Sequence, residues 1–269
     1  MKLLSFLALA LAVNICIAQK LKSPETGKAT IVLTYDDALQ SQLKNVVPVL
    51  NGAKLKATFF LDGRFSHEQM KLWKAAANAG HEIANHSLYH PCSRQTLTDL
   101  QPQYQSENYD LNSIIKEIGM MNKLLFGIDG RVNRTYAFPC TETSVGGKDY
   151  REALKNSGLI KYARGGGDSN AVITNITGLD FFNVPSWGIS ENTTGEQLIA
   201  FVKKVIAENG VGVLMFHGVG GDYLKVSAEA HNLLIKYLRQ HKKEVQVRTF
   251  GEAMEILAKQ KKLVSVIPF

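Results

Sequence analysis

Beyond its first 18 residues, the chain has no apolar run long enough to cross a bilayer, so stable membrane insertion is not expected. It also lacks internal repeats, low-complexity stretches and linkers rich in proline, glycine or serine, which predicts a single domain over residues 19–269. No basic cluster is interleaved with aromatic residues, and this argues against nucleic-acid binding although the formal net charge is +7. No protein partner is indicated either.

The first residues have the pattern of a targeting segment. Lys2 precedes an apolar run over residues 3–18, and polar residues follow. A charged start and a short apolar core are typical of a secretory signal peptide, so we expect cleavage after Ala18 and export to the periplasm or the extracellular space. A lipoprotein anchor at Cys16 is disfavoured because the bulky Ile15 precedes it where a small residue is expected. An uncleaved anchor is the remaining alternative.

Short apolar runs rich in β-branched and aromatic residues recur along the mature chain, with helical patterns between them. Alternating strands and helices predict a parallel α/β fold, and seven or eight such units in about 250 residues suggest a (β/α) barrel, complete or not. An open doubly wound sheet is the alternative; in both folds, chemistry collects at the carboxyl ends of the strands. The apolar runs cover residues 30–34, 57–61, 82–84, 135–138, 161–163, 181–184, 211–216 and 245–247.

The first predicted strand ends in two adjacent carboxylates, Asp36 and Asp37. Neighbouring negative charges at the end of a buried strand repel each other, and desolvation adds to the cost, so a cation there would be stabilising. The alternative is that Asp37 caps a helix that begins near Leu39, because aspartate is a favoured N-cap residue.

The third predicted strand runs into His86 and His90, which are four residues apart. On a short helical turn both imidazoles could meet one metal, although Pro91 disfavours helix at His90. Two unrelated surface histidines are the alternative. With an aspartate from a nearby strand end they make a set of two imidazoles and one carboxylate, which suits a catalytic zinc with an open position for water.

A further histidine, His217, closes the buried apolar run over residues 211–216. A histidine at a strand end is well placed to act as an acid or a base in a cleft. A hydrogen-bonded structural histidine is the alternative. Its place at the same end of the sheet as the other ionisable groups favours a functional role.

Five motifs follow one another in order: TYDDA at residues 34–38, HSLYH at residues 86–90, Phe138-Pro139, Trp187, and LMFH at residues 214–217. In this order they resemble the polysaccharide deacetylase family, which shares the NodB-homology domain and is also called carbohydrate esterase family four. The resemblance covers about residues 30–250. It implies a distorted (β/α) barrel.

The resemblance also implies roles for the strand-end residues. Asp37, His86 and His90 would hold one divalent metal ion, with zinc as the first choice and cobalt or nickel as substitutes. Asp36 would be the general base that takes a proton from the attacking water. His217 would be the general acid that protonates the leaving nitrogen or oxygen.

The same resemblance implies a set of groups around the substrate. Trp187 and Leu214 would line a pocket for the acetyl methyl group, and Pro139 would also contact the substrate. The backbone N–H of Cys140 would help to stabilise the oxyanion.

Two positions depart from the family pattern. The third motif usually has an arginine two residues before the proline, where it fixes the catalytic aspartate, but this chain has Ala137. The first motif usually ends in glycine, and here it ends in Ala38. Arg164, at the end of the fifth apolar run, could supply the missing guanidinium from another strand. A surface arginine before a loop is the alternative.

Cleavage of the leader would leave two cysteines, Cys92 and Cys140, close in sequence to His90 and Pro139. In a barrel the two loops that carry these cysteines would lie at the same end, so a disulfide could link the two loops in an exported protein. Two buried free thiols are an alternative. A thiolate as an extra metal ligand is disfavoured because it would close the position that water needs.

The resulting prediction is an enzyme that hydrolyses the N-acetyl bond of amino sugars in chitin-like or peptidoglycan glycans. Its partner would be an acetylated oligo- or polysaccharide. Removal of O-acetyl groups from xylan-type glycans is the close alternative, because the same centre would serve both bonds. An alternative of another class is a carbohydrate-binding protein without turnover, which the missing motif arginine favours.

Overall fold

A computed structural model describes residues 28–266, with side chains described as far as residue 263. The predicted signal peptide over residues 1–18, including Cys16, lies outside the described residues. Within the described range, no helix combines the length and the apolar character that crossing a membrane requires.

Strands and helices alternate through most of the described chain. The strands are β1 Ala29–Asp36, β2 Thr58–Leu61, β3 Glu82–Asn85, β4 Thr135–Ala137, β5 Ser144–Val145, β6 Lys148–Asp149, β7 Tyr162–Arg164, β8 Val172–Ile173, β9 Trp187–Gly188, β10 Val211–Phe216 and β11 Val245–Arg248. The α-helices are α1 Val47–Ala53, α2 His67–Asn78, α3 Leu111–Asp129, α4 Arg151–Ser157, α5 Gly195–Glu208, α6 Ala228–Gln240 and α7 Phe250–Val266.

The main sheet is largely parallel and curls into a half-barrel. Its strands follow the order β7-β4-β3-β2-β1-β10-β8, and β8 is antiparallel to β10. β11 pairs with the first half of β1, and the short β9 pairs with the second half of β10. The fold is therefore the predicted distorted (β/α) barrel and not an open doubly wound sheet.

The segment between β8 and β10 narrows the gap that the half-barrel leaves beside β7. The Val184 N–H donates to the Ala163 carbonyl at 2.9 Å, and Trp187 then pairs with Leu214 of β10. The sequence predicts a strand over residues 181–184, and this is wrong except for one isolated bridge at Val184. The residues just before Val184 form a turn. In it, Asp180 Oδ1 accepts the Phe182 N–H and the Asp180 carbonyl accepts the Asn183 N–H.

Side chains alternate along β1 and so divide the core into two parts. Leu33 packs outward against the helices, whereas Val32 faces the barrel interior with Phe60. The ring of Phe250, at the start of α7, lies 5.7 Å from the Phe60 ring. Asp36 lies four residues after Val32 on the same strand, so its side chain points to the same side of the sheet. Its carboxylate therefore faces the barrel interior at the carboxyl end of the sheet.

Candidate active site

The chain turns sharply where β1 ends. Asp37 has φ 77°, and its N–H donates to the Phe60 carbonyl at 3.1 Å. The helix that follows begins only at Gln40, three residues further on, so the interpretation of Asp37 as an N-cap is wrong. Both carboxylates are buried, with Asp36 2% and Asp37 5% exposed. Two adjacent acids are thus held out of water at the carboxyl end of the sheet.

His86 and His90 project from a loop after β3 and not from the helical turn that the spacing suggests. Ser87 and His90 both have positive φ angles, 64° and 54°, which fold the loop back on itself. The Asn85 side-chain oxygen accepts the Ser87 N–H at 2.7 Å, and Ser87 Oγ accepts the His90 N–H at 2.9 Å. These bonds turn both imidazoles toward Asp37. We call residues 86–90 the histidine loop.

Glu117 of α3 supports the histidine loop from the helical layer. Its carboxylate accepts the N–H groups of Leu88 and Tyr89 at 3.1 and 2.9 Å. Because Glu117 is only 7% exposed, these bonds are shielded from competition with water.

Three ligand atoms converge between the histidine loop and β1. Asp37 Oδ1 lies 3.4 Å from His86 Nε2 and 3.2 Å from His90 Nε2, and the two nitrogens are 3.2 Å apart. Metal bonds of about 2.0–2.1 Å in a tetrahedral site separate ligand atoms by about 3.4 Å, so the spacing fits a metal. Asp37 Oδ1 is buried without a hydrogen bond in the described part of the chain, which leaves it free as a ligand.

The protonation of these groups also fits a metal. His86 Nδ1 donates to the Ala137 carbonyl at 2.8 Å, which leaves the lone pair on Nε2 for a ligand. Burial alone would raise the pKa of Asp37, but the adjacent imidazoles of His86 and His90 outweigh it and hold that pKa well below its ordinary value. Asp37 is therefore an ionised carboxylate.

Arg164 at the end of β7 contacts the other aspartate. It is fully buried, and its Nη2 hydrogen-bonds Oδ2 of Asp36. Arg164 is the register partner of Ala137 on the adjacent strand β4, so its side chain reaches the same face of the sheet. Asp36 Oδ1 has no hydrogen-bond partner among the described residues. One oxygen of Asp36 is thus held and the other is left open.

His217 follows β10 and points to the same group of side chains. Its Nε2 lies 3.9 Å from Asp37 Oδ2, and its Nδ1 has no hydrogen-bond partner within residues 28–266. A purely structural buried histidine would normally be hydrogen-bonded. Burial lowers the pKa of His217, although the charges of Asp36 and Asp37 oppose the shift.

Three residues of this region have no sequence signal that would have identified them. Gln42 Nε2 donates to the carbonyls of Asp36 at 2.5 Å and His217 at 3.2 Å, which ties the ends of β1 and β10 together. Tyr223 donates its hydroxyl to Asp37 Oδ2 at 2.9 Å, and the Arg64 guanidinium lies 3.4 Å from Asp37 Oδ1. Tyr223 and Arg64 come from different loops, and neither belongs to a recognisable motif.

The side chains of Trp187 and Leu214, expected in the acetyl pocket, do not point toward the candidate active site. Trp187 and Leu214 are register partners, so they share the outer face, where Trp187 packs against Phe201 at 5.1 Å and Leu214 is fully buried. Strand alternation turns the next residue, Met215, inward instead, and its sulfur contacts Arg164. The placement of Trp187 and Leu214 in the pocket is therefore wrong.

Pro139 and Cys140 form a short helical turn after β4. Pro139 is buried, and its contact with the substrate stays a prediction. Cys140 has φ 52° and is bonded to Cys92, with a Cα–Cα separation of 5.9 Å. A thiolate ligand is excluded because both sulfurs are in the bond, although they lie near His90. The bridge joins the segment after the histidine loop to the turn after β4.

Loss of this bridge should destabilise the protein without removing the metal ligands. For a sequence separation of 48, the chain-entropy relation gives about 4 kcal/mol, and we expect Cys92→Ser with Cys140→Ser to lower the free energy of unfolding by up to that amount. Urea unfolding measures the change. Alkylation of the non-reduced wild-type protein should leave both cysteines unmodified, and two freely modified thiols would contradict the bridge.

Comparison with known proteins agrees with this geometry. The model of the polysaccharide deacetylase family matches residues 23–159, about half of the chain. The peptidoglycan-N-acetylmuramic acid deacetylase PdaA of Bacillus subtilis (strain 168) is 33% identical over 91 residues, which cover 33% of this chain and 35% of that protein. The match therefore spans about a third of this curated relative.

Two solved structures share the fold. One is a family 4 acetyl xylan esterase from Clostridium thermocellum, in complex with a cobalt ion, with a TM-score of 0.53 and 23% sequence identity. The match covers 83% of this chain and 89% of the esterase chain. A CE4 family pseudoenzyme from Bacillus anthracis has a TM-score of 0.53 at 17% identity, with coverages of 86% and 66%. The family match, the order of the motifs and the half-barrel agree, and the chain belongs to the polysaccharide deacetylase family.

Proposed function

We propose that this chain is a metal-dependent hydrolase that removes acetyl groups from the N-acetyl amino sugars of chitin-like or peptidoglycan glycans. The observation that carries the proposal is the convergence of Asp37, His86 and His90 beside Asp36, which has one free oxygen. A structural ion pair alone would not need two imidazole nitrogens facing one carboxylate oxygen.

Asp37, His86 and His90 would hold the metal. A divalent cation there would lower the pKa of a water molecule and polarise the acetyl carbonyl. Two imidazoles and one carboxylate suit zinc, and cobalt or nickel accept the same ligand types. The cobalt ion of the related esterase supports a divalent metal without deciding which one is native.

Asp36 is the proposed general base. Its Oδ1 takes a proton from the attacking water, while Arg164 holds Oδ2 and so fixes the direction of the open lone pairs. The water oxygen bonds to the acetyl carbon, and the backbone N–H of Cys140 is the proposed donor to the resulting oxyanion. His217, once protonated, then gives its proton to the leaving nitrogen as the bond between the carbonyl carbon and that nitrogen breaks, which releases the free amine. The acetic acid that forms loses a proton and leaves as acetate, and the proton on Asp36 passes back to His217 or to solvent.

Replacement of Arg164 tests how Asp36 is oriented. Removing one partner of a buried ion pair costs about 3–5 kcal/mol, so Arg164→Met should lower stability as well as activity. We expect kcat to fall roughly tenfold or more with KM little changed, because the guanidinium touches the base and not the substrate. Arg164→Lys should restore part of kcat, since it returns the charge without the planar fork.

Arg134 offers a matched control for this test. It forms a second buried ion pair, with Asp129, just before β4 and away from the carboxyl ends of the strands. Arg134→Met should lower stability to a similar degree but leave kcat of the folded protein unchanged. Equal kcat values in the Arg164→Met and Arg134→Met proteins would show that Arg164 is only structural.

Replacement of His217 separates amide from ester substrates. An amine is a poor leaving group without a proton, so His217→Ala should slow N-acetyl hydrolysis by about a hundredfold. An activated ester such as 4-nitrophenyl acetate should lose much less, because its leaving group needs no proton. Steady-state rates on both substrates decide this; an equal loss on both would argue against a general acid at His217.

Two alternatives to N-acetyl hydrolysis also have support. Removal of O-acetyl groups from xylan-type glycans is supported by the similar fold of the acetyl xylan esterase from Clostridium thermocellum. A carbohydrate-binding protein without turnover is supported by the related pseudoenzyme. The buried contact of Arg164 with Asp36 argues against this reading, because the feature that favoured it was a missing arginine.

Acetate release from a panel of acetylated glycans tests the proposal. We expect the fastest release from N-acetylated chito-oligosaccharides or peptidoglycan fragments. Faster release from acetylated xylan would assign the chain to O-acetyl removal. Binding of these glycans without acetate release from any of them would favour the binding protein.

We also propose that the protein is exported. The leader pattern of residues 1–18 and the Cys92–Cys140 bridge both support this, because disulfides persist in oxidising compartments.

A further inference from the structure

A cleft of about 710 Å³ lies between the histidine loop and helix α3. This volume is within the range of sites for small molecules, about 300–1,000 Å³. Three tyrosines, Tyr89, Tyr104 and Tyr109, line it. We call it the tyrosine cleft. The proposed hydrolysis uses none of these side chains.

The tyrosine cleft exposes apolar surface together with unused hydrogen-bonding groups. Tyr89 is 53% exposed and Met120, on the facing helix, is 54% exposed. The rings of Tyr89 and Tyr104 lie 6.1 Å apart and are tilted by 55°. In the described part of the chain neither hydroxyl has a hydrogen-bond partner. Large exposed apolar groups that line a concave surface are typical of a binding site.

Both tyrosine walls are attached to the segment that carries a proposed metal ligand. Tyr89 directly precedes His90, so their Cα atoms are about 3.8 Å apart. The Tyr104 carbonyl accepts the Cys92 N–H at 3.0 Å, and Cys92 is two residues beyond His90. The Cys92–Cys140 bond then fixes this segment to the turn after β4. The cleft is therefore held at a constant position relative to the candidate active site.

We propose that the tyrosine cleft binds a sugar ring of the substrate glycan other than the ring that loses its acetyl group. A pyranose has a C–H face and a rim of hydroxyls. The tyrosines offer flat apolar faces with polar tips, and Lys116 and Ser113 add polar groups to the lining. This inference rests on the proposed function and deepens it, because it makes the substrate an oligomer or polymer and not a single sugar.

The dependence of activity on chain length tests the tyrosine cleft. We would measure kcat/KM for chitobiose and chitohexaose with the wild type, Tyr89→Ala and Tyr104→Ala. The ratio of hexamer to dimer should fall roughly fivefold to tenfold in each variant, as expected for the loss of one ring contact. Tyr89→Phe keeps the ring and should keep most of the ratio. Metal content, measured in each variant, reports whether the histidine loop is intact.

The chain offers a control on the same helix. Phe126 of α3 is 52% exposed but does not line the cleft, so Phe126→Ala should leave the ratio unchanged. Ratios equal to wild type in both tyrosine variants would overturn the proposal and leave the deacetylase function standing.

Direct binding separates the two proposals. Titration of the wild type with chitohexaose by calorimetry should give weaker binding for Tyr104→Ala than for Phe126→Ala. That result without any acetate release would support the tyrosine cleft and contradict the proposed function. No binding of chitohexaose to the wild type would overturn the proposal for the cleft.

Discussion

His86→Ala and His90→Ala are each expected to lose most of the bound metal and at least about a thousandfold in acetate release, because either change removes one of three protein ligands. The wild type should hold about one divalent ion per chain. Both Nε2 atoms lie within 3.4 Å of Asp37 Oδ1, so either change leaves this oxygen with only one of its two imidazole neighbours. Elemental analysis of the purified proteins measures the loss.

A surface histidine provides the control for these variants. His67 is exposed at the start of α2, and His67→Ala should keep both the metal and the activity. Stoichiometric metal in His86→Ala and His90→Ala alike would show that these residues are not the ligands. Circular dichroism of each variant would confirm that the fold is retained, so that a loss of metal is not a loss of structure.

Asp36→Asn should keep the metal and the fold but lower kcat by about a hundredfold or more, because an amide has no basic oxygen lone pair that can take the proton from water. The substitution is nearly isosteric, so Arg164 can still hydrogen-bond the amide oxygen. KM should change little if Asp36 does not contact the sugar. Acetate release at saturating substrate measures kcat.

The exposed Asp99 offers a matched change of the same chemistry. Asp99→Asn should have wild-type kcat and metal content. An Asp36→Asn protein that hydrolyses acetylated sugars at the wild-type rate would exclude the general-base role.

The sequence predicted the parts of the site that short-range patterns encode. The apolar run of β1 identified a buried strand, and its end located Asp36 and Asp37. The four-residue spacing of His86 and His90 indicated a shared ligand set. Arg164 was predicted only as one of two readings, and the register of β7 against β4 accounts for its contact with Asp36.

The rest depended on geometry that one-dimensional patterns do not contain. The two histidines meet through positive φ angles at Ser87 and His90, not through a helical turn. Leu214 lies one residue out of phase with the inward face of β10, and a shift by one residue reverses the side of the sheet. Tyr223 contacts Asp37 from a distant loop, and only tertiary structure brings the two together.

The most direct test of the central claim is acetate release before and after removal of the metal. Acetate release from chitohexaose would be compared for three samples: the protein as purified, the same protein after chelation and dialysis, and the chelated protein with zinc restored. The account predicts acetate release that falls by more than about a hundredfold on chelation and returns when zinc is added. Undiminished release by protein shown to be metal-free would contradict it.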